Sequence, residues 1–310
     1  MIGVCIVTYN QEKYIAEAIE SVLAQADCGH QVVAYIGNDC STDKTGEICH
    51  QYAAKYPGQI KVIDNPQNLG LVGNTMNLLD IMRTDGCDYI AMLDGDDYWC
   101  DDHKLQKQIA YFDAHPEYGL IHTCVDTLYP DKLVRDARIS TKEGDVSSVI
   151  FGYNIGNCSV IFKVSLLNLI DFEEFQHQGF MSCDFIMYVI FSCHSQFGFL
   201  PDHTAVWRRG HDSVSNTNDM EKQIRYVQND VAMWRYAAKR FPDRWHANAE
   251  ELENYMHWRA FVIAFKHGDR KRALHEAKLM GEDYRHHDRL KLIAAHSAVL
   301  TKLWRIFKHR

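Results

Sequence analysis

The chain has no Cys-x-x-Cys pair, no apolar run of membrane-spanning length and no low-complexity linker. Ten cysteines are present, but neither Cys49-His50 nor the stretch from His122 to Cys124 has a second ligand pair at zinc spacing. That argues against a zinc site and for reduced, mostly buried thiols. No segment reaches the roughly 18 apolar residues of a transmembrane helix. The opening "MIGVCIVTYN" shows no basic leader ahead of its apolar run, so a cytoplasmic location is expected. Positive charge is scarce as well: the first 284 residues carry 26 basic against 40 acidic side chains, a net −14, which argues against nucleic acid as a main partner. With 46% hydrophobic and 24% charged residues over 310 positions, disorder is excluded, and one large domain with an appendage is the expected scale.

Four strand-like runs come first: "GVCIVTY", "QVVAYIG", "IKVID" and "YIAML". The first three each precede a helical pattern: Tyr14, Ile15, Ala18, Ile19, Val22 and Leu23 on one face, then "DKTGEICHQYAAKY", then "GNTMNLLDIM". Strands alternating with helices predict an α/β fold with a mostly parallel sheet flanked by helices. Such sheets bind ligands beyond the carboxyl ends of their strands. All four ends are polar: Thr8 and Asn10; Asn38 and Asp39; Asn65 and Asn68; Asp94, Asp96 and Asp97. Helix capping accounts for some of these, and Ser41 or Thr42 is the expected cap in "STDKT".

The middle of the chain mixes patterns: "GNCSVIFK" and "HTAVWRR" read as strands, "CDFIMYVIFSC" as a buried helix. After Asn218 the pattern is purely helical, with "HWRAFVIAFKHGDRKRALHEAKL" reading as two helices joined at Gly268. The expected division is therefore an α/β domain over 1–218 and an all-helical region over 219–310. The end of the chain reverses the charge: from Arg285 to Arg310 there are seven Lys or Arg against one acid, Asp288. Leu292, Val299, Leu300, Leu303, Ile306 and Phe307 form an apolar stripe there, with Trp304 at its edge and Lys302, Arg305 and Lys308 alongside. Two readings stand for this stripe: a helix packed on protein, its own or a second subunit's, or an interfacial helix against anionic lipid.

"LDGDDYW", residues 93–99, places three carboxylates within four positions directly after a strand. Like charges so close raise one another's proton affinity, so the cluster needs either full solvation in a turn or a cation. Taken alone, the stretch does not choose between these.

The series does. "VTYNQEKYIAEAIESVLAQ", "GNDCSTDKT", "NPQNLGLVGN", "LDGDDYW", "GNCSVIFK", "CDF" and "WRRGHDSVS", in this order over roughly residues 1–215, resemble the inverting family 2 glycosyltransferases of the GT-A fold. The resemblance implies a GT-A, Rossmann-like domain that binds a nucleotide-sugar donor, a UDP-sugar above all, and a saccharide or lipid-linked saccharide acceptor. It implies donor contacts at Thr8, Tyr9, Asn38, Asp39, Asn68, Asn74, Asp94, Arg208 and Ser213. Asn38 stands where the family often has a second acid; Asp39, an acceptor only, suits the N–H of uracil. It implies Mg²⁺ or Mn²⁺ at Asp96 and His211, and Asp184 as the general base. Arg208 or Arg209 would fork onto phosphate, Asp97 would orient its neighbours or cap the next helix, and Asn157 and Ser159 would lie near a sugar. Contact with a membrane surface, or dimerisation through the C-terminal helix, is the remaining partner expectation. Two other classes compete: a sugar nucleotidyltransferase, which would need a Gly-rich phosphate loop that "TYNQEKY" lacks, and a non-catalytic sugar-binding protein on the same fold.

Overall fold

The computed structural model describes residues 1–135, 155–210, 217–243, 248–282 and 289–297. They form two compact units, Met1–Gly210 and His211–Arg310. The first is a nine-stranded sheet with helices. Its strands are β1 (Ile2–Thr8), β2 (Val32–Asn38), β3 (Ile60–Asp64), β4 (Tyr89–Asp94), β5 (Tyr98–Trp99), β6 (Tyr118–Tyr129), β7 (Lys132–Arg135), β8 (Ile161–Lys163) and β9 (Gln196–Arg208). They run β3-β2-β1-β4-β8-β6-β9-β5, with β7 paired to β6. The first four are parallel; β8 then pairs antiparallel with both β4 and β6, and β9 returns parallel to β6.

Register decides what the rim holds. Thr8 lies beside Asn38, Asn38 beside Asp64, and Val7 beside Asp94, so the polar strand ends are level with one another. Behind them β1 is buried at every position, as expected for a strand covered on both faces. Helix α1 (Ile15–Leu23) sets Ile15, Ala18, Ile19 and Val22 into that core, α3 (Gly70–Thr84) sets Met76, Leu78, Leu79 and Met82 among the buried residues, and α4 (Lys104–Ala114) adds Leu105, Ile109 and Phe112. A short helix α5 (Phe172–His177) precedes α6 (Asp184–Ser192), in which every side chain from Phe185 to Phe191 is buried. A helix apolar all round has no solvent face, and that fixes where its first residue, Asp184, can be.

Two sequence expectations change here. Neither Ser41 nor Thr42 caps α2 (Thr45–Lys55): Ser41 Oγ accepts from Asn10 N instead, and the Thr45 amide is met by Asp43 at 2.9 Å. The β1 and β2 loops thus tie to each other rather than each to its own helix. "GNCSVIFK" is strand only from Ile161 to Lys163, because Ser159 N donates to Gly156 O and Val160 N to Asn157 O, closing a 3₁₀ turn over Asn157–Ser159.

The second unit is helical: α7 (Met220–Arg240), α8 (Ala249–His267), α9 (Arg270–Leu279) and α10 (Arg289–Ala295). Gly268 adopts φ +80° and ends α8, as the two-helix reading requires. Asp219, Asn248 and Asp269 accept from backbone amides at the starts of α7, α8 and α9. Phe261, Phe265, Ala273, Ala277, Met280 and Ala295 make the core, and Leu292 packs on it. Leu292 is thus taken up by its own unit, while the rest of the apolar stripe, Val299 to Phe307, lies outside the described residues. All ten cysteines are free, six of them buried. Among the described residues no helix is long and apolar enough to cross a membrane.

Candidate active site

The turn from Asp94 to Tyr98 forms because Gly95 lies flat against β1. Its amide donates to Val7 O at 2.9 Å, and a Cβ there would sit 2.5 Å from Gln11 Oε1 and 2.9 Å from Thr8. Asp97 N then donates back to Asp94 O at 3.0 Å. The turn is clamped from across the sheet. Asp97 Oδ1 accepts from Arg208 N at 2.8 Å, while the Arg208 guanidinium donates to Asp96 O and pairs with Glu17. The same guanidinium lies over the rings of Tyr14 and Tyr98, 4.9 and 5.1 Å from their centroids. Arg208 therefore stands beside the acidic turn, as its place in the series implies, but its nitrogens hold protein. Arg209 lies 4.2 Å over Trp207.

The electrostatics of the turn are those of negative charge gathered in little water. Asp97 is almost fully buried, and burial, then Asp96 and Asp94, push its carboxyl well above the usual range. Asp94 is pushed up to about 7, by burial first, then by Asp96 and Asp184, against the opposing bond from Asn157. Asp184, at the start of α6, is thus near enough to Asp94 to act on it. Lys104 is wholly buried close by: its Nζ donates to Gln108 Oε1 at 2.7 Å and lies 4.4 Å over Trp99, and burial lowers it to about 7. Cys158 and Asp101 oppose that lowering.

An all-oxygen donor set at Asp94 and Asp96 fits a hard divalent cation. Among the described residues the tightest His and carboxylate group is a different one, Asp101, Asp102 and His103 at the start of α4, where Asp101 pairs with Lys107. His211 and Ser213 lie outside the described residues.

The other side of the rim is built at the ends of β1 and β2. Thr8 is buried and donates to Gln11 Oε1 at 2.7 Å, whereas Tyr9 is 47% exposed and presents its ring outward. Asp39 holds the start of α3: Oδ1 accepts from Leu69 N at 2.8 Å and Asn65 Nδ2 at 2.9 Å, and Oδ2 from Gly70 N at 2.9 Å. Asn68 donates to Asp39 O. Asn38 is turned to Asp64, at 2.7 Å. Asn74 lies beneath β2, 1% exposed, donating to Gly37 O and accepting from Asn65. Gly37 makes room for it, since a Cβ there would lie 2.3 Å from Asn74 Oδ1. Thr8, Tyr9, Asp39, Asn68, Asp94, Asp96, Asp184 and Arg208 are thus at the strand-end rim or beside it, and Asn74 supports the rim from below.

Sequence reading did not single out Gln11, Glu17, Tyr98, Lys104 or Tyr188. Glu17 meets Arg208 across 191 residues, a separation at which no local pattern signals a contact. Tyr188 was within reach, because it follows Asp184 by four positions on a helix.

Comparison with known proteins agrees with this geometry. The sequence profile of glycosyl transferase family 2 matches residues 3–168. An uncharacterised protein of Mycobacterium tuberculosis is 30% identical over 207 residues, covering 66% of this chain and 57% of its own length. The dTDP-rhamnosyl transferase RfbG of Shigella flexneri is 33% identical over 103 residues, 33% of this chain and 35% of its own. The chain therefore spans little more than half of the first relative and about a third of the second. Among solved structures, S. aureus TarS with UDP-GlcNAc superposes at TM-score 0.62 with 16% identity, over 98% of this chain and 91% of that one. Mannosyltransferase PcManGT from Pyrobaculum calidifontis with GDP-Man and Mn²⁺ does so at 0.59 with 16% identity, over 100% and 88%. These likenesses share the fold. The chain belongs to glycosyl transferase family 2.

Proposed function

We propose that the protein moves a sugar from a nucleotide-sugar donor, a UDP-sugar first among the candidates, to a hydroxyl of a glycan or lipid-linked saccharide, with inversion and with help from Mg²⁺ or Mn²⁺. The observation that carries this reading is that Asp94 and Asp96, the carboxyls suited to a diphosphate-bound cation, stand at the carboxyl end of β4, and that Asp184 at the start of α6, the carboxyl suited to an acceptor proton, is near enough to raise Asp94. Asp94 and Asp96, with His211, would hold the cation, which when bound stabilises the charge growing on the departing diphosphate by several kcal/mol. Asp184 takes the acceptor hydroxyl's proton as the oxygen attacks the anomeric carbon from the face opposite the leaving group. One displacement with no covalent intermediate inverts the configuration. Asp39 retains acceptor capacity at Oδ2 beyond its bond to Gly70, enough for one N–H of a pyrimidine base, and Tyr9 offers that base a ring. Arg208 serves the donor through the turn it clamps.

Support for a nucleotide sugar comes from TarS and PcManGT, each solved with one, and PcManGT also with Mn²⁺. The donors named for these proteins and for RfbG carry UDP, GDP and dTDP, so nucleotide choice is the first quantity to measure. The basic residues from Lys302 to Arg310 suit an anionic lipid surface near lipid-linked acceptors. Titration calorimetry with UDP tests the core of the reading. Wild-type protein should bind with Mn²⁺ and lose that affinity in EDTA, and Asp96→Ala should abolish the metal-dependent part. Equal affinity in Mn²⁺ and EDTA would remove the metal site from the proposal.

A further inference from the structure

One partly buried chain of hydrogen bonds runs from the end of β4 to α6. Asn157 Nδ2 lies 3.1 and 3.3 Å from the two carboxylate oxygens of Asp94, and Asn157 Oδ1 accepts from the Tyr188 hydroxyl at 2.6 Å. The direction of this chain is fixed by chemistry. Asp94 in its ionised form, the form a bound cation favours, only accepts, so the amide nitrogen faces Asp94; the amide oxygen then faces Tyr188, whose hydroxyl donates. Tyr188 is wholly buried, and burial, with Asp184 and Asp94 nearby, raises its phenol far above the physiological range, so the proton stays available for donation.

The two ends of the chain belong to different halves of the chemistry. Asp94 ends β4 beside the donor turn. Tyr188 lies on α6 four residues after Asp184, one helical turn along the same face. Every side chain of α6 from Phe185 to Phe191 is buried, all but Tyr188 apolar, and Phe191 packs near Tyr188 and Phe162. Apolar packing holds a helix in place but sets its rotation and axial position only loosely, whereas a directional bond to a fixed partner sets both. Asn157 can make the connection because the 3₁₀ turn over Asn157–Ser159 replaces strand there and turns the amide inward.

We infer that Asn157 and Tyr188 are positioning residues that latch the helix bearing Asp184 to the donor-side carboxylate Asp94, so that the general base is held at one distance from the donor. This rests on the glycosyltransferase reading, in which Asp184 is the base. A displacement of about 1 Å at a reacting group costs on the order of 100-fold in rate. Loss of the latch at its Tyr188 end, which leaves the bond from Asn157 to Asp94 in place, should therefore act on turnover and leave donor binding alone.

Tyr188→Phe deletes one hydroxyl and keeps the ring. With the best donor and acceptor, its kcat is expected to fall about 10- to 100-fold while the donor KM stays within about twofold. Asn157→Ala breaks the same chain at its centre and should lose as much, which keeps the test open should either variant fold poorly. Ser192→Ala on the same helix, whose hydroxyl donates to Val189 O within that helix, should keep wild-type kcat. A thermal cycle supplies a readout independent of turnover: Tyr188→Phe should lower the melting temperature by about 2–4 °C in the wild-type background and by under about 1 °C beside Asn157→Ala. A wild-type enzyme that transfers sugar while Tyr188→Phe matches its kcat, or equal thermal losses in the two backgrounds, overturns the latch and leaves the proposed function standing. A wild-type protein that transfers no sugar from any nucleotide donor overturns both.

Discussion

Asp94 gives the candidate site a pH dependence whose sign can be worked out. Its carboxyl lies at about 7 in the folded, metal-free protein, against 3.8 without the fold, because burial and the neighbouring Asp96 disfavour its charge. The folded state therefore holds that proton more tightly than the unfolded chain does. Its contribution to stability is complete below about pH 4 and is lost as pH rises through 7. Melting curves of metal-free protein should show this decline between pH 4 and 7, and saturating Mn²⁺ should reverse it, since a cation favours the ionised form. For the same reason Mn²⁺ affinity should rise about tenfold per pH unit below 7 and level off above it, as calorimetry would show. Asp184 calls for a different measurement. Asp184→Asn keeps size and polarity but takes no proton, so transfer should fall about 10² to 10⁴ fold while Mn²⁺-dependent UDP binding is retained. Near-wild-type turnover would end the assignment.

The acidic turn after β4 owes its shape to elements distant in the chain: Arg208 at the end of β9 reaches it with a backbone amide and a guanidinium, and Tyr14, Glu17 and Tyr98 hold that guanidinium flat. Arg208→Lys keeps the charge but not the planar fork, and should loosen the turn nearly as much as Arg208→Ala does. Both variants should weaken metal-dependent UDP binding at least about tenfold, one bond's worth at the scale of charge-assisted pairs. Retention of affinity in Arg208→Lys would show that charge alone suffices. Beneath β2 the contact is steric. A methyl group at Gly37 meets Asn74 Oδ1 at 2.3 Å, and Asn74 is buried and bonded on both sides. Gly37→Ala should therefore cost about 1–3 kcal/mol in denaturant unfolding, the range for overpacking a tight interior.

For the molecule as a whole, the charge asymmetry between an acidic body and a basic end bears on where the protein works. Leu292 belongs to the core of the helical unit, so the part of the stripe left for a partner begins beyond it. Flotation with anionic liposomes should recover the full chain at low salt and lose most of it at high salt, because attraction between separated charges is screened within roughly 8 Å at physiological ionic strength. Removal of residues 298–310 should abolish flotation. Equal recovery with and without them would instead favour the packing reading, in which that stretch covers protein.

Much of this was legible in the residues themselves. "GVCIVTY", "QVVAYIG", "IKVID" and "YIAML" are strands within a residue or two, and the helices after the first three lie where their periodicity puts them, because burial on both faces writes itself into consecutive apolar residues. Gly268 announced its turn, having no Cβ to oppose φ +80°. The identity of the acidic rim was legible too, since Asp94, Asp96 and Asp97 adjoin one strand end. What only the tertiary structure decided is which partners those residues take. Arg208, read as a phosphate fork, holds the turn; Asn74, read as pocket lining, supports β2; Asn157 joins Asp94 of β4 to Tyr188 of α6. The physical reason is separation in sequence. Asn157 meets Asp94 across 63 residues, and Arg208 meets Asp97 across 111. Local periodicity records which face of an element is buried, and the sheet order and register alone determine what that face meets.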